Sequence, residues 1–259
     1  MVREKVLLTG ASGSMGFAAF EELWRRRDRF DIVLLLRPSA KNVAMFAPCL
    51  EGRRVDGPGT AHYHDGSLKI VWGDAVNHED IRAACAGVDA VLNPMAFIAP
   101  AADHDPATAE AVNAVAVQSL VKAIRAEPDG AERIRLLHVG SVAQYGDRLP
   151  PRHMIRTGDP MQPSVFDFYA TTKIRGERAV IESGIRHWAS LRQTFITIPS
   201  FLTDLLDPIT FHLPINTAIE IQIHATDDGT KHGQCGAVYD CLSPSKAAQK
   251  APGEWNHYV

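Results

Sequence analysis

The run KVLLTG, Lys5–Gly10, is a short apolar stretch that breaks into three glycines, Gly10, Gly13 and Gly16, before helical periodicity begins in MGFAAFEELWRR. Few backbones ask for that order. A buried strand must end, turn within a few residues and enter a helix whose first turn packs back on the strand. Gly10 permits the tight turn, Gly13 lets a pyrophosphate approach the backbone, and Gly16 lets the helix lie close to the strand. The free N–H groups of the first helical turn, around Ser14 and Met15, then face an anion. The segment predicts a dinucleotide site; a glycine-rich turn without a ligand is the alternative.

The rest of the chain repeats the strand-then-helix order. DIVLLLR, LKIVWGD, DAVLNPM, IRLLHVGS and part of ASLRQTFITI are apolar almost throughout, which predicts five further strands. Between them lie the helical patterns HEDIRAACAG, ATAEAVNAVAVQSLVKAIRAE, which stops before Pro128, and FDFYATTKIRGERAVIESG, with Gly184 as its C-cap. In the first helix Phe17, Phe20, Leu23 and Trp24 share one face. Strands apolar on both faces and separated by helices imply a parallel sheet covered on both sides. Right-handed crossovers make it an α/β fold with a doubly wound, Rossmann-type sheet. The long connection RPSAKNVAMFAPCLEGRRVDGPGTAHYHDGS reads as a loop with a short helix near Val43 to Phe46, and its HYH as solvated histidines.

Composition narrows the functions. Hydrophobic residues make up 46% of the chain and charged ones 22%, as in a globular protein with a real core. A net charge of -3 argues against a general nucleic-acid binder, and the basic cluster WRRRDR reads as a solvated helix end. No apolar run of about 18 residues predicts a membrane span. MVREKVLLTG reads as a strand and not a signal peptide. Cys49, Cys85, Cys235 and Cys241 have no Cys-x-x-Cys spacing, so a reduced, cytoplasmic protein is expected.

Tyr169 and Lys173, in FYATTKIRGE, stand four apart and so share a helix face. On its own that spacing is common. Here it lies in the helix after the fifth strand, with Ser141 at the end of that strand. The glycine turn, preceded by Thr9, and these residues resemble the extended, epimerase/dehydratase-like branch of the short-chain dehydrogenase/reductase superfamily over about Val2 to Asp207. Further segments fall in order. WGDA carries Asp74 and Ala75, and the resemblance implies that Asp74 contacts the adenine. DAVLNPMAF matches the fourth strand, with Asn93 for the usual His and Pro94 and Met95 on the cofactor side. VNAVAVQSLVKA carries the family's Asn as Asn113. HVGSVAQYG matches S-S-x-x-V-Y-G, with Gly140 for the first Ser and Ser141 for the catalytic one. LRQTFITIPS places Pro199 near the nicotinamide end.

The resemblance implies roles. Tyr169 is the acid/base, Lys173 also binds the ribose hydroxyls and Ser141 orients the substrate oxygen. A tyrosine ordinarily loses its proton near about pH 10, and the Lys173 ammonium together with the positive nicotinamide is expected to bring Tyr169 closer to neutral. The reaction class is hydride transfer between a nicotinamide and a carbinol or carbonyl carbon of a small molecule such as a sugar derivative. Val142 and Ala143 after Ser141, in place of Asp-Glu, disfavour elimination and leave simple redox chemistry or epimerisation open. The second strand ends in Leu36 and Arg37, where an acid would favour NAD. Arg37, helped by Lys41, favours NADP instead, with NAD open. Family members often dimerise through the helices Ala107 to Ala126 and Phe166 to Gly184.

Residues 1–200 therefore read as the dinucleotide-binding domain with its catalytic helix, and residues 201–259 as a short, incomplete C-terminal substrate lobe. FLTDLLDPITFHLPINTAIE begins such a lobe, and IEIQIH could add an edge strand. GAVYDCLSPSKAAQKAPGEWNHYV instead resembles a fragment of the lectin-like family that includes 3-keto-disaccharide hydrolases. That stretch is too short for a β-sandwich, and it is expected to pack weakly. His224, Asp227, His232 and Cys235 have no regular metal-ligand spacing. The competing function is a non-catalytic dinucleotide-binding protein, a cofactor sensor or interaction module.

Overall fold

A computed structural model of the chain describes residues 3–49, 55–57, 60–63, 66–146, 155 and 158–193. Within them the strands are β1 (Glu4–Leu8), β2 (Phe30–Leu36), β3 (Val55–Gly57), β4 (Thr60–Tyr63), β5 (Leu68–Trp72), β6 (Ala90–Asn93), β7 (Arg135–Ser141) and β8 (His187–Gln193). The helices are α1 (Ser14–Arg25), α2 (Ala40–Phe46), α3 (His78–Cys85), α4 (Ala101–His104), α5 (Pro106–Glu110), α6 (Ala116–Ala126), α7 (Gly130–Arg133) and α8 (Phe168–Ile181).

One sheet runs in the order β3-β4-β5-β2-β1-β6-β7-β8. Six of its strands, β5, β2, β1, β6, β7 and β8, are parallel, in the doubly wound order. The order reverses between β1 and β6, whose pairing sets Val6 beside Ala90 and Leu8 beside Leu92. A crevice opens at the carboxyl ends of the strands at such a reversal, and it is where these sheets bind ligands.

Period-two alternation explains why the strands are apolar throughout. Val6 and Leu8 of β1, and Ile32, Leu34 and Leu36 of β2, pack with Phe20 and Leu23 of α1 and Phe46 of α2. Leu7, Val33 and Leu35 face the other way, into Ile81 of α3, Leu120 and Ile124 of α6 and Val180 of α8. Phe20 meets Phe46 edge to face at 5.0 Å, a pairing that contributes about 0.5–1.5 kcal/mol beyond the area it buries. Phe17 and Trp24 are only partly buried against the same cluster.

Three expectations need correction. The long connection after β2 holds its expected short helix as α2, but past it come a 3-10 turn at Ala47–Cys49 and the antiparallel pair β3 and β4, which extends the sheet past β5. His62 and Tyr63 of the HYH motif accordingly lie in a strand, paired with Lys69 and Leu68. The helix ending near Gly184 caps at Glu182, and Gly184, with φ +70, makes the turn beyond it. The long helix carries a π-helical turn at Ala111–Val115 between α5 and α6. At the WRRRDR helix end Arg25 pairs with Glu22 at 2.7 Å, and Arg27 lies over the Trp24 ring at 5.0 Å. Cys49 and Cys85 are free thiols. Among the described residues no helix is long and apolar enough to cross a membrane. Residues 194–259, with Pro199, the edge-strand segment and the C-terminal motifs, lie outside the described residues.

Candidate active site

The glycine turn sits at the reversal point. Gly10 has φ +62, and a Cβ there would come within 2.8 Å of the Met95 Cα on the far side of the crevice. At Gly16 a Cβ would lie 2.0 Å from the Gly10 carbonyl oxygen, so the bare α-carbon is what lets α1 approach the turn. Gly13 is different. A Cβ there would meet only the Gly10 oxygen, at 3.4 Å, an ordinary contact. Among the described residues nothing requires glycine at position 13, whereas a ligand drawn against the backbone would. Gly13 is also the N-cap of α1; it offers no capping side chain, and the first turn has no acidic residue. The donors at that helix start are thus left for an anion. The residues present fit a pyrophosphate.

From this turn a cavity of about 640 Å³ runs along the strand ends. Every described residue assigned to a site from the sequence lines it: Gly10, Gly13, Ser14, Met15, Gly16, Arg37, Asp74, Ala75, Pro94, Met95, Ser141, Tyr169 and Lys173. Arg37 and Lys41 mark one end. Asp74 is held there by two contacts: its N–H donates to Asp80 Oδ2 at 2.8 Å, and its Oδ1 accepts from Val76 at 3.1 Å. Phe97, Ile98, Thr108, Val112 and Gln193 also line the cavity and were not singled out in the sequence. Phe97 owes its place to Asn113, whose buried amide accepts from the Phe97 N–H at 2.8 Å and donates to its carbonyl at 2.9 Å. The π-helical turn carries Asn113, and Gly176 makes room for it: a Cβ at Gly176 would lie 2.1 Å from the Asn113 carbonyl oxygen.

At the other end stand Ser141, Tyr169 and Lys173. Ser141 closes β7 and caps the 3-10 turn Val142–Tyr145: its hydroxyl accepts from Ala143 N–H at 3.2 Å, and Gln144 Oε1 accepts from Ser141 N–H at 2.9 Å. So Ser141 is a turn residue and also a hydroxyl with a fixed direction, hydrogen-bonded to Tyr169. Asp167 starts α8 by accepting from Ala170 at 2.7 Å, and Asp103 holds Phe168 N–H at 3.1 Å, which sets the turn bearing Tyr169. Lys173, 1% exposed, points under the sheet end and donates to the Val139 carbonyl.

For Tyr169 the protein's own surroundings work against the expected lowering. Burial pushes its hydroxyl above the ordinary tyrosine value; the Ser141 hydrogen bond opposes this, and Asp167 adds to it. Lys173 is not among the groups that bring it down; its ammonium donates to the Val139 carbonyl. Burial lowers Lys173 itself to about 8, against the pull of Glu177.

A polar strand of contacts runs behind the site. Thr9 donates to Asn93 Oδ1 at 2.6 Å, and Asn93 Nδ2 lies 3.1 Å from His138 Nδ1. Asn93 and His138 are register partners in β6 and β7, so the imidazole stands one strand over from the family's usual position. Burial, with Lys173 nearby, holds His138 down to about 3. The unfolded chain therefore binds a proton between about 6.5 and 3 that the folded one refuses, and stability falls as pH drops through that window. Urea unfolding should show a loss of roughly 1.6 kcal/mol between pH 6.5 and 5, the slope approaching about 1.4 kcal/mol per unit at the acid end. A stability that stays flat from pH 7 to 5 would mean the folded ring accepts the proton.

Comparison with known proteins bears on the family and the fold. The family model described as the NAD dependent epimerase/dehydratase family matches residues 6–192. A 3-keto-alpha-glucoside-1,2-lyase-like domain model matches residues 151–259, beginning well before the motifs that suggested it and overlapping the first match. No curated protein matches the chain in sequence. Among solved structures the fold is similar to Bordetella bronchiseptica WbmG in complex with NAD and UDP, at 19% identity and a TM-score of 0.57, over 74% of this chain and 53% of that one. It is also similar to the UDP-Glc/GlcNAc 4-epimerase of Campylobacter jejuni, at 15% identity and 0.57, over 72% and 53%. A third is dTDP-4-dehydrorhamnose reductase of Bacillus anthracis in complex with NADP, at 16% identity and 0.53, over 76% and 55%. The chain spans about half the length of these structures.

Proposed function

The chain belongs to the NAD dependent epimerase/dehydratase family, and from that premise we propose that it is an NAD(P)-dependent oxidoreductase or epimerase acting on a carbinol or carbonyl carbon of a sugar derivative. The observation that carries the reading is a single cavity with the glycine turn at one end and the hydrogen-bonded Ser141 and Tyr169 hydroxyls, backed by Lys173, at the other.

Gly13, Ser14 and Met15 would hold the pyrophosphate, Asp74 and Ala75 the adenine, and Pro94 and Met95 the nicotinamide end. The dinucleotide, when bound, supplies the hydride donor or acceptor. The chain's own residues do the rest. Tyr169 passes a proton to or from the substrate oxygen. Ser141, its direction fixed by Ala143, holds that oxygen against the phenol. Lys173 keeps a positive charge below them and, in this reading, would leave the Val139 carbonyl to meet the ribose. Burial keeps the proton on the Tyr169 oxygen, the form that reduction or the reducing half of an epimerisation needs, while making the phenol a weaker acid. Incubation with a panel of nucleotide-linked and free sugars, followed by cofactor absorbance and product stereochemistry, tests the assignment. No turnover with any of them, in a protein that binds the dinucleotide, would favour the sensor reading.

The preferred dinucleotide in this reading is NADP. Arg37 and Lys41 line the cavity at the end of β2, where an acid would otherwise meet a ribose hydroxyl. A charge-assisted contact to a 2′-phosphate is worth roughly 1.5–3 kcal/mol, about ten- to a hundredfold in affinity. NADPH should bind more tightly than NADH by that margin, and Arg37→Asp should reverse the order. Calorimetric titration of both cofactors decides it; equal affinities in both proteins would make Arg37 a bystander.

A further inference from the structure

The cavity wall follows the strand order. Arg37 comes after β2, the glycine turn after β1, Pro94 and Met95 after β6, Ser141 closes β7 and Gln193 closes β8. Neighbouring strands lie about 4.8 Å apart, so each step along this row moves that far across the site. Gln193 is the last step. It is the register partner of Ser141, and register partners turn their side chains to the same face of the sheet. Both line the cavity, together with Tyr169.

Strand alternation explains why Gln193 and not its neighbour reaches the site. Arg192, register partner of Gly140, faces the other way. There its Nε donates to Glu177 Oε1 at 2.9 Å, and it lies 5.1 Å over the Tyr145 ring and donates to that hydroxyl. Glu177 is 1% exposed and stands against bare Gly140, where a Cβ would meet its Oε2 at 2.8 Å. Tyr145 ends the 3-10 turn that Ser141 caps, so Arg192 ties the end of β8 to α8 and to that turn. Gln193 follows on this anchored backbone, and no described residue takes its side-chain amide.

A primary amide offers a carbonyl acceptor and an NH2 donor side by side, and it fits a group that carries the same pair reversed. The nicotinamide carboxamide is such a group, on the ring carbon next to the one that exchanges the hydride. On the β6 side of Ser141 the wall is Pro94, Met95 and Ala96, whose side chains offer no such pair. On the β8 side it is Gln193. We propose that Gln193 is a nicotinamide-binding residue: its side-chain amide pairs with the carboxamide and sets which ring face meets the substrate. The proposal rests on the reading of the cavity as a dinucleotide site with Ser141 at its reacting end.

Calorimetric titration of the full chain with three probes tests it: NADP, its 3-acetylpyridine analogue, which keeps the carbonyl but lacks the NH2, and 2′-phospho-ADP-ribose, which lacks the nicotinamide. The wild type should bind NADP about tenfold more tightly than the analogue. Gln193→Leu should weaken NADP by about tenfold, bind NADP and the analogue alike, and leave 2′-phospho-ADP-ribose within about twofold. A purely structural role would lower the melting temperature and weaken all three probes together. A gap between NADP and the analogue that survives in Gln193→Leu would overturn the proposal. So would unchanged NADP affinity with a raised KM, which would put the amide on a substrate hydroxyl. Should Gln193→Leu fail to fold, the wild type decides alone, and equal affinity for NADP and the analogue would overturn it. Binding of 2′-phospho-ADP-ribose with no gain from the nicotinamide would sink the proposal and leave the dinucleotide reading standing. Binding of none of the three would sink both.

Discussion

Tyr169→Phe is expected to cut turnover by about a hundredfold or more, to the level of background, while dinucleotide affinity stays within a few-fold. General acid–base groups contribute typically about 10²–10⁴ in rate, and the substitution removes only the phenolic oxygen. That oxygen meets Ser141, not the glycine turn, so the cofactor end of the cavity is untouched. The backbone of this helix turn is fixed independently, by Asp167 on Ala170 at 2.7 Å and by Asp103 on Phe168 at 3.1 Å, so the ring should keep its place. Steady-state absorbance of the reduced cofactor reads turnover, and fluorescence titration reads affinity. Full activity in the variant would remove Tyr169 from the chemistry. The wild type should also carry a pH signature. A phenol raised by burial keeps its proton at neutral pH, so reduction should run there, whereas oxidation should climb with pH as the phenolate forms.

The frame of the site was legible because it depends on local chemistry. An apolar strand, a glycine turn and a helix are contiguous, and Gly16 answers a demand of Gly10 and Ala11 a few residues away. Tyr169 and Lys173 are one helical turn apart, so their meeting needs no knowledge of the fold. What escaped reading depends on distant partners. Glu177 was visible one turn after Lys173, but its burial follows from Arg192 on β8 and the bare Gly140 on β7. The raised value of Tyr169 escaped for the same reason. A nearby lysine counts only by where its ammonium points, and the Val139 carbonyl takes it. The antiparallel pair β3 and β4 hid in a connection rich in Gly and Pro. Strands of three and four residues show almost no periodicity, and here they are ordered by pairing with β5 and not by their own pattern. Asn113 was placed by resemblance, but the π-helical turn that aims it at Phe97 leaves no mark in the helical pattern.

Gly13 and Gly16 look alike in sequence and should respond oppositely to alanine. A Cβ at Gly16 would lie 2.0 Å from the Gly10 oxygen, 2.6 Å from the Gly10 carbonyl carbon and 2.9 Å from the Ala11 Cα. All three are backbone atoms of the turn, so no side chain can swing aside, and α1 must move off the sheet. Overpacking of this kind costs about 1–3 kcal/mol and more when backbone must shift. A domain of this size loses about 2–4 °C per kcal/mol, so Gly16→Ala should melt roughly 6–12 °C lower, with dinucleotide binding lost alongside. At Gly13 the nearest atom to a Cβ is 3.4 Å away, and the backbone, at φ -86 and ψ 163, suits any residue. Without ligand, Gly13→Ala should therefore melt at or slightly above the wild-type temperature, since alanine reduces the freedom of the unfolded chain. The new methyl would stand on the side of the turn that faces the cavity, where the pyrophosphate must approach. Dinucleotide affinity should drop by about tenfold or more, a loss of roughly 1.4 kcal/mol or greater. Thermal melts with and without NADPH separate the two variants in one experiment. If Gly13→Ala keeps both its stability and its stabilisation by NADPH, the open face of the glycine turn is not where the cofactor sits.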